Sequence, residues 1–182
     1  MEVHKDIEKV LIAEEVILHR IDEMAESILK EWPDEPIVIV GLLKGALVFM
    51  ADLFRKMPVR LSIECVNVAS YHGGTESAGE VQFLDQKLPE VKGKHVLLVD
   101  DILDTGRTLK AVSEVLLEQG AEDVKTCVLL AKDKQRAVDQ SADFIGFTIG
   151  DEFVVGYGLD YKGKYRNLPY VGVLAPFVYD DV

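Results

Sequence analysis

Between residues 12 and 32 the apolar side chains Ile17, Ile21, Met24, Ala25, Ile28 and Leu29 recur with a helical period, and Pro33 and Pro36 close the segment. A first helix is predicted there. Residues 37–43, IVIVGLL, form a short β-branched run, and Lys44 and Gly45 lead from it into a second helical pattern that stops at Met57 and Pro58. Residues 60–70, RLSIECVNVAS, alternate as a strand does. Residues 71–80, YHGGTESAGE, are polar, rich in glycine and without period, and read as a mobile loop. A short strand at 81–84 and a turn at 92–94 follow.

Residues 96–112, VLLVDDILDTGRTLKAV, hold the most informative change of pattern. An apolar run ends there in Asp100, Asp101 and Asp104, after which Leu109, Val112, Val115 and Leu116 recur at helical spacing until Gly120. The acids and Gly106 therefore fall at a strand-loop-helix corner. Open parallel sheets place ligands at such corners, because the carboxyl end of the strand and the unpaired N–H groups of the helix share one crevice. Residues 124–131, VKTCVLLA, are continuously apolar, as in strands buried on both faces. Strands are also expected at 144–149 and 153–158, joined through Gly150 and Asp151, and at 171–174 after a basic, aromatic loop at 161–170. With strand and helix alternating and no repeat or linker, the pattern predicts an α/β fold with a mostly parallel sheet, in one domain spanning residues 1–182.

Composition narrows the classes. Hydrophobic residues make up 48% of the 182, enough for a full core. No apolar run approaches the roughly 18 residues needed to span a bilayer, and the first residues, MEVHKDIEKV, are charged where a signal peptide is apolar. A cytosolic protein is expected. Cys65 and Cys127 each lie in a strand-like run, so both are expected to be buried thiols. The net charge of −12 disfavours nucleic acid and anionic membrane as partners. An anionic substrate is still admissible where local cations, a helix N-terminus or Mg²⁺ override that field. His4, His19, His72 and His95 are scattered without ligand spacing, which argues against a structural zinc site.

The corner motif has its own chemistry. Backbone N–H groups from Asp104 to Thr108 open the helix, and Gly106 allows the turn that aims several of them at one phosphate. Thr105 and Thr108 add hydroxyls, and Arg107 adds charge or points to solvent. Asp100 and Asp101 suit sugar hydroxyls or Mg²⁺ better than phosphate. Together these groups specify a sugar phosphate. In isolation, Asp-x-x-Asp-Thr-Gly is as often a capped turn; the strand before it and the helix after it favour the site.

Residues 99–109, VDDILDTGRTL, resemble the phosphoribosyl pyrophosphate (PRPP) motif of type I phosphoribosyltransferases. Asp104, residues 153–161 (FVVGYGLDY) and Tyr165-Arg166 resemble the hypoxanthine-guanine branch of that family. GLLKG at 41–45, Ser70-Tyr71 and Lys132 after a strand fit it as well, so the likeness covers nearly the whole chain. Gly150 stands where a proline is frequent, and Arg107 where lysine or asparagine also occurs; the chemistry requires neither.

The resemblance implies a parallel sheet flanked by helices with a small hood built from the terminal segments. It implies that Asp104, Thr105, Gly106, Arg107 and Thr108 hold the 5′-phosphate and that Asp100 and Asp101 hold the ribose. Asp104 would also exchange the proton of purine N7. Lys132 would donate to the 6-oxo group, Phe153 would stack on the base, and backbone near Val154 and Asp160 would read its C2 edge. Alone, Lys132 reads as a strand-end surface lysine and Phe153 as core. Lys44, Gly45 and Arg166 would hold pyrophosphate, with Mg²⁺ served by Asp160, Asp100 and Asp101. A cis peptide before Lys44 and a lid opening at Ser70 and Tyr71 are family expectations. So is a homodimer or homotetramer.

The implied reaction joins PRPP to a 6-oxopurine (hypoxanthine, guanine or xanthine), giving the nucleoside monophosphate, IMP or GMP for the first two, and pyrophosphate. A pyrimidine-operon RNA-binding regulator on the same fold is the alternative. It calls for a basic face and commonly lacks the acid at Asp104. A signalling receiver is disfavoured, because the acid pair falls mid-chain and the strand at 124–131 ends in Lys132.

Overall fold

Ile7–Ile12 form a strand, β1, ahead of the first helix, where the hydrophobic pattern predicts none. Its burial does not alternate, because its pairing shifts register between Ile7 and Lys9 and again between Val10 and Ile12. A strand with two irregularities loses the period of two by which strands are recognised. The computed structural model describes residues 3–70, 81–84, 88–134 and 138–179. Of the lid expected at 70–80, residues 71–80, with Tyr71, lie outside them.

The chain continues through α1 (Glu14–Glu31), β2 (Ile37–Leu43), α2 (Leu47–Phe54), β3 (Leu61–Ser70) and β4 (Val81–Phe83). Next come β5 (His95–Leu103), α3 (Arg107–Glu118), β6 (Asp123–Lys132) and β7 (Phe144–Ile149). The last strands are β8 (Val154–Val155) and β9 (Val171–Leu174). Ser70 is the last residue of β3.

One sheet runs in the order β4-β3-β2-β5-β6-β7. All its pairs are parallel except β3 with β4. Alternate residues of β2 and β5 face opposite layers. Ile37, Ile39, Leu97 and Val99 pack with Ile17, Ile21, Ile28, Phe49 and Leu53 of α1 and α2. Val38, Val40, Val96 and Leu98 pack with Leu109, Val112 and Leu116 of α3. The chain passes from β2 outward to β3 and then returns to β5 on the other side of β2, so the sheet's switch point lies between β2 and β5. A crevice opens there beyond the strands' carboxyl ends.

A second, antiparallel sheet in the order β1-β9-β8 joins the two ends of the chain and is the expected hood. The expected strand at 153–158 is shorter in the structure. Gly156, Tyr157 and Gly158 have φ of 95°, 52° and 104°, which turn the backbone out of the extended region. Cys65 departs from expectation too: it is exposed, whereas Cys127 is buried. α2 packs on β2 and β5, leaving Ile63 and Cys65 of β3 uncovered. Among the described residues no helix is long and apolar enough to cross a membrane.

Candidate active site

β5 continues through the acid pair to Leu103, so Asp100 and Asp101 lie inside the strand and not at its end as the pattern suggests. The reason is one-sided support. β6 pairs with β5 as far as Leu103, but pairing with β2 stops at Val99, and beyond it β5 borders the loop that follows β2. That loop begins with a cis peptide between Leu43 and Lys44. Gly45 then lies so close to Asp101 that a methyl group in place of its hydrogen would overlap the carboxylate. The acid pair and the Lys44-Gly45 backbone thus share the switch-point crevice.

The Asp101 N–H donates to Asp100 Oδ1 at 2.9 Å. Desolvation pushes the Asp100 carboxyl well above the usual carboxylate range, and repulsion from Asp101 adds to this. Desolvation also raises Asp101, partly offset by hydrogen bonding to Asp100 and backbone and by the charge of Arg166. Two adjacent half-buried carboxyls of this kind favour a cation or a set of hydroxyl donors between them.

Asp104, Thr105 and Gly106 connect β5 to α3. Gly106 has φ 80° at the helix start and, as the N-cap, brings no side chain of its own, while the Arg107 N–H donates to Thr105 Oγ1 at 3.5 Å. A cavity of about 170 Å³ lies against this turn, lined by Asp100, Ile102, Leu103, Asp104, Thr105, Gly106, Thr108 and Leu109. Arg107 is the first residue of α3. The amides at the positive end of a twelve-residue helix border this cavity and make it an anion cradle.

Past β9's partner strand, the turn at 156–158 brings the last pair of expected residues to the crevice. A side chain at Gly158 would overlap the Gly45 carbonyl, and one at Gly156 the Tyr170 carbonyl. The Tyr157 hydroxyl donates to Asp52 of α2 at 2.6 Å, anchoring the turn. Arg166 donates to the Gly158 carbonyl at 2.6 Å and pairs with Asp160 at 2.7 Å. Asp160 also accepts from the Gly163 N–H at 2.6 Å. Among the described residues no group of three or more His, Cys, Asp or Glu side chains converges as a metal cage.

Lys132 ends β6, its side chain 13% exposed, and donates to Asp151 at 3.1 Å. Asp151 and Lys134 are site residues that the pattern does not single out. Lys134 pairs with Asp104 at 2.5 Å and with Asp151 at 3.2 Å. Hydrogen bonds from Lys132 foremost and from Lys134 hold the Asp151 carboxyl below its usual range, and Asp104 foremost and Asp151 raise the Lys134 ammonium. Asp151 shows in the sequence only as an acid between two strands, and Lys134 as one more polar turn residue. Phe153 is 44% exposed, with the ring edge of Tyr161 at 5.6 Å and Tyr179 at 5.7 Å, while Val154 is buried in β8. An exposed aromatic in this position offers a face for a planar ligand.

The structure brings together Gly45, Asp101, Gly158, Arg166 and Asp160 in one group, and Asp104, Lys134, Asp151 and Lys132 in another. The cavity at the start of α3 is lined by Asp104 of the second group and by Asp100, the neighbour of Asp101 in the first.

Comparison with known proteins agrees with this arrangement. The family described as phosphoribosyl transferase domain matches residues 11–162. A Staphylococcus epidermidis protein named hypoxanthine-guanine phosphoribosyltransferase is 47% identical over 177 residues, covering 97% of this chain and 99% of its own. The crystal structure of a Staphylococcus aureus hypoxanthine phosphoribosyltransferase superposes with a TM-score of 0.91 at 45% identity, covering 97% of this chain and 96% of that one. The Trypanosoma cruzi hypoxanthine phosphoribosyltransferase in complex with its product IMP gives 0.90 at 37% identity, covering 98% and 100%. With matches of this extent on a sheet whose switch point carries the acid pair and the anion cradle, the chain belongs to the phosphoribosyltransferase family, in its hypoxanthine-guanine branch.

Proposed function

We infer that the protein is a purine-salvage transferase that moves the 5-phosphoribosyl group of PRPP to N9 of hypoxanthine or guanine, releasing pyrophosphate. The observation that carries this reading is the junction of Asp100, one of the acid pair, with the anion cradle on one cavity at the end of β5. Phosphate alone would need only the cradle; the carboxylates beside it call for the hydroxyls of a sugar. The relatives named above are transferases, and the RNA-binding alternative is not favoured.

In this reading the N–H groups of residues 104–108 hold the 5′-phosphate, and Asp100 and Asp101 accept from the ribose 2′- and 3′-hydroxyls. The C1′–O bond to pyrophosphate breaks as N9 of the base bonds to C1′, through an oxocarbenium-like transition state. Asp104 takes the N7 proton from the attacking base and returns it in the reverse direction. Lys132 has three N–H donors and gives one to Asp151, so two are left for the 6-oxo group. Phe153 stacks on the base, and the Val154 carbonyl accepts from its polar edge.

Arg166 uses two of its five donors on Gly158 and Asp160, and the others face the pyrophosphate with the backbone of Lys44 and Gly45. The donor set suits Mg²⁺: adjacent carboxyls whose ionisation is hindered by desolvation and mutual repulsion would be relieved by a hard cation, which needs few protein ligands. Asp100, Asp101 and Asp160 would hold it. When bound, it neutralises charge on the departing pyrophosphate. The reading extends to one domain that acts in the cytoplasm as a homodimer or homotetramer, which light scattering tests.

The deciding experiment is a Mg²⁺-dependent assay with PRPP against adenine, hypoxanthine, guanine, xanthine and uracil. Nucleotide is expected from hypoxanthine and guanine and not from adenine or uracil. No product from any base would return the RNA-binding alternative.

A further inference from the structure

Lys134 lies outside every motif used above, on the loop after β6, yet it links three successive strand ends. Its Nζ is 2.5 Å from Asp104 Oδ1, after β5, and 3.2 Å from Asp151 Oδ1, after β7. The same Asp151 oxygen accepts from Lys132 Nζ at 3.1 Å. Charges therefore alternate along a chain of Lys132, Asp151, Lys134 and Asp104. The ends of this chain are the two side chains assigned above to the purine's 6-oxo group and N7.

The arrangement is poorly placed to hold the fold together. The side chains of Lys134 and Asp151 are 34% and 71% exposed, and pairs in such settings contribute little to stability. It is well placed to set direction. Lys132 and Lys134 stand two residues apart and would repel, and a shared carboxylate oxygen fixes both ammonium groups relative to each other. Lys134 meets Asp104 at Oδ1 and so ties one end of that carboxylate, while Oδ2 is outside this contact. Lys132 keeps two donors for the same base.

We propose that Lys134 is a positioning residue for the purine, orienting the Asp104 carboxylate directly and Lys132 through Asp151, so that N7 and the 6-oxo group meet a preset pair. This rests on the purine-salvage reading of the site. Holding reacting groups in place in this way speeds the reaction without touching the substrate.

The test uses the full chain with PRPP, Mg²⁺ and hypoxanthine, comparing Lys134→Met and Lys134→Arg with the parent. The Met variant is expected to lose about tenfold in kcat/KM for hypoxanthine, while KM for PRPP stays within about twofold. The Arg variant, which keeps charge and donors, recovers most of that loss, and neither variant shifts the thermal midpoint. Parental kinetics in Lys134→Met, a loss that appears in KM for PRPP, no recovery with Arg, or a midpoint that falls with activity would each overturn the proposal. An unsubstituted protein that turns over no 6-oxopurine overturns the reading of the site as well, so the two failures are distinguishable.

Discussion

A carboxylate on a loop between a strand and a helix is commonly a turn or cap residue; Asp104 differs because of what surrounds it. It lines the same cavity as Asp100 and the α3 amides, and Lys134 engages one of its oxygens. Asp104→Asn keeps the size and removes the basic group. Turnover is expected to fall by about 10²- to 10⁴-fold, the usual contribution of a general acid or base, while PRPP binding measured by calorimetry stays near parental. Near-parental turnover would remove Asp104 from proton transfer. The acids of this loop were legible in the sequence because they interrupt an apolar run. Lys134 was not: its partners are brought to it by pairing between β5, β6 and β7, and chain position carries no record of that.

Elements were legible where burial is regular. β2, β5 and β6 are apolar runs, and α1 and α3 repeat their apolar faces, so their existence follows from period alone. Period tells which side chains share a face and not whether a second layer covers that face, and β3 shows the difference. Cys65 lies on a strand as expected but beyond the helices, whereas Cys127 is 0% exposed between two layers and desolvation drives its thiol far above the ordinary range. A thiol reagent such as dithiobis(nitrobenzoate) should therefore label the native protein at Cys65 and reach Cys127 only on unfolding. Rapid native labelling of Cys127 would contradict this placement of β3 and β6.

At the scale of the whole molecule, the hood joins the two ends of the chain and contributes to the main core. Ile12, Val154, Val171 and Val173 pack with the α1 and α2 layer, and the Tyr165 hydroxyl donates to Asp6 at 2.7 Å. Removal of residues 1–12 would strip β9 of one of its two partners and lose the buried Ile7 and Ile12. At about 1.5–3 kcal/mol for each buried isoleucine the expected cost is about 3–6 kcal/mol, read from the urea midpoint; an unchanged midpoint would make β1 dispensable. By itself the sequence determined the α/β class, the glycine turn into α3 and the acid pair, because each depends on neighbours within a few residues and on the periods of helix and strand. Tertiary structure decided the hood's first strand, the contact of Gly45 and Gly158 with the crevice, the exposure of Cys65 and the chain of charges through Lys134. Those depend on which strand ends lie side by side and which layer covers them, and parallel pairing brings together residues that the sequence keeps far apart.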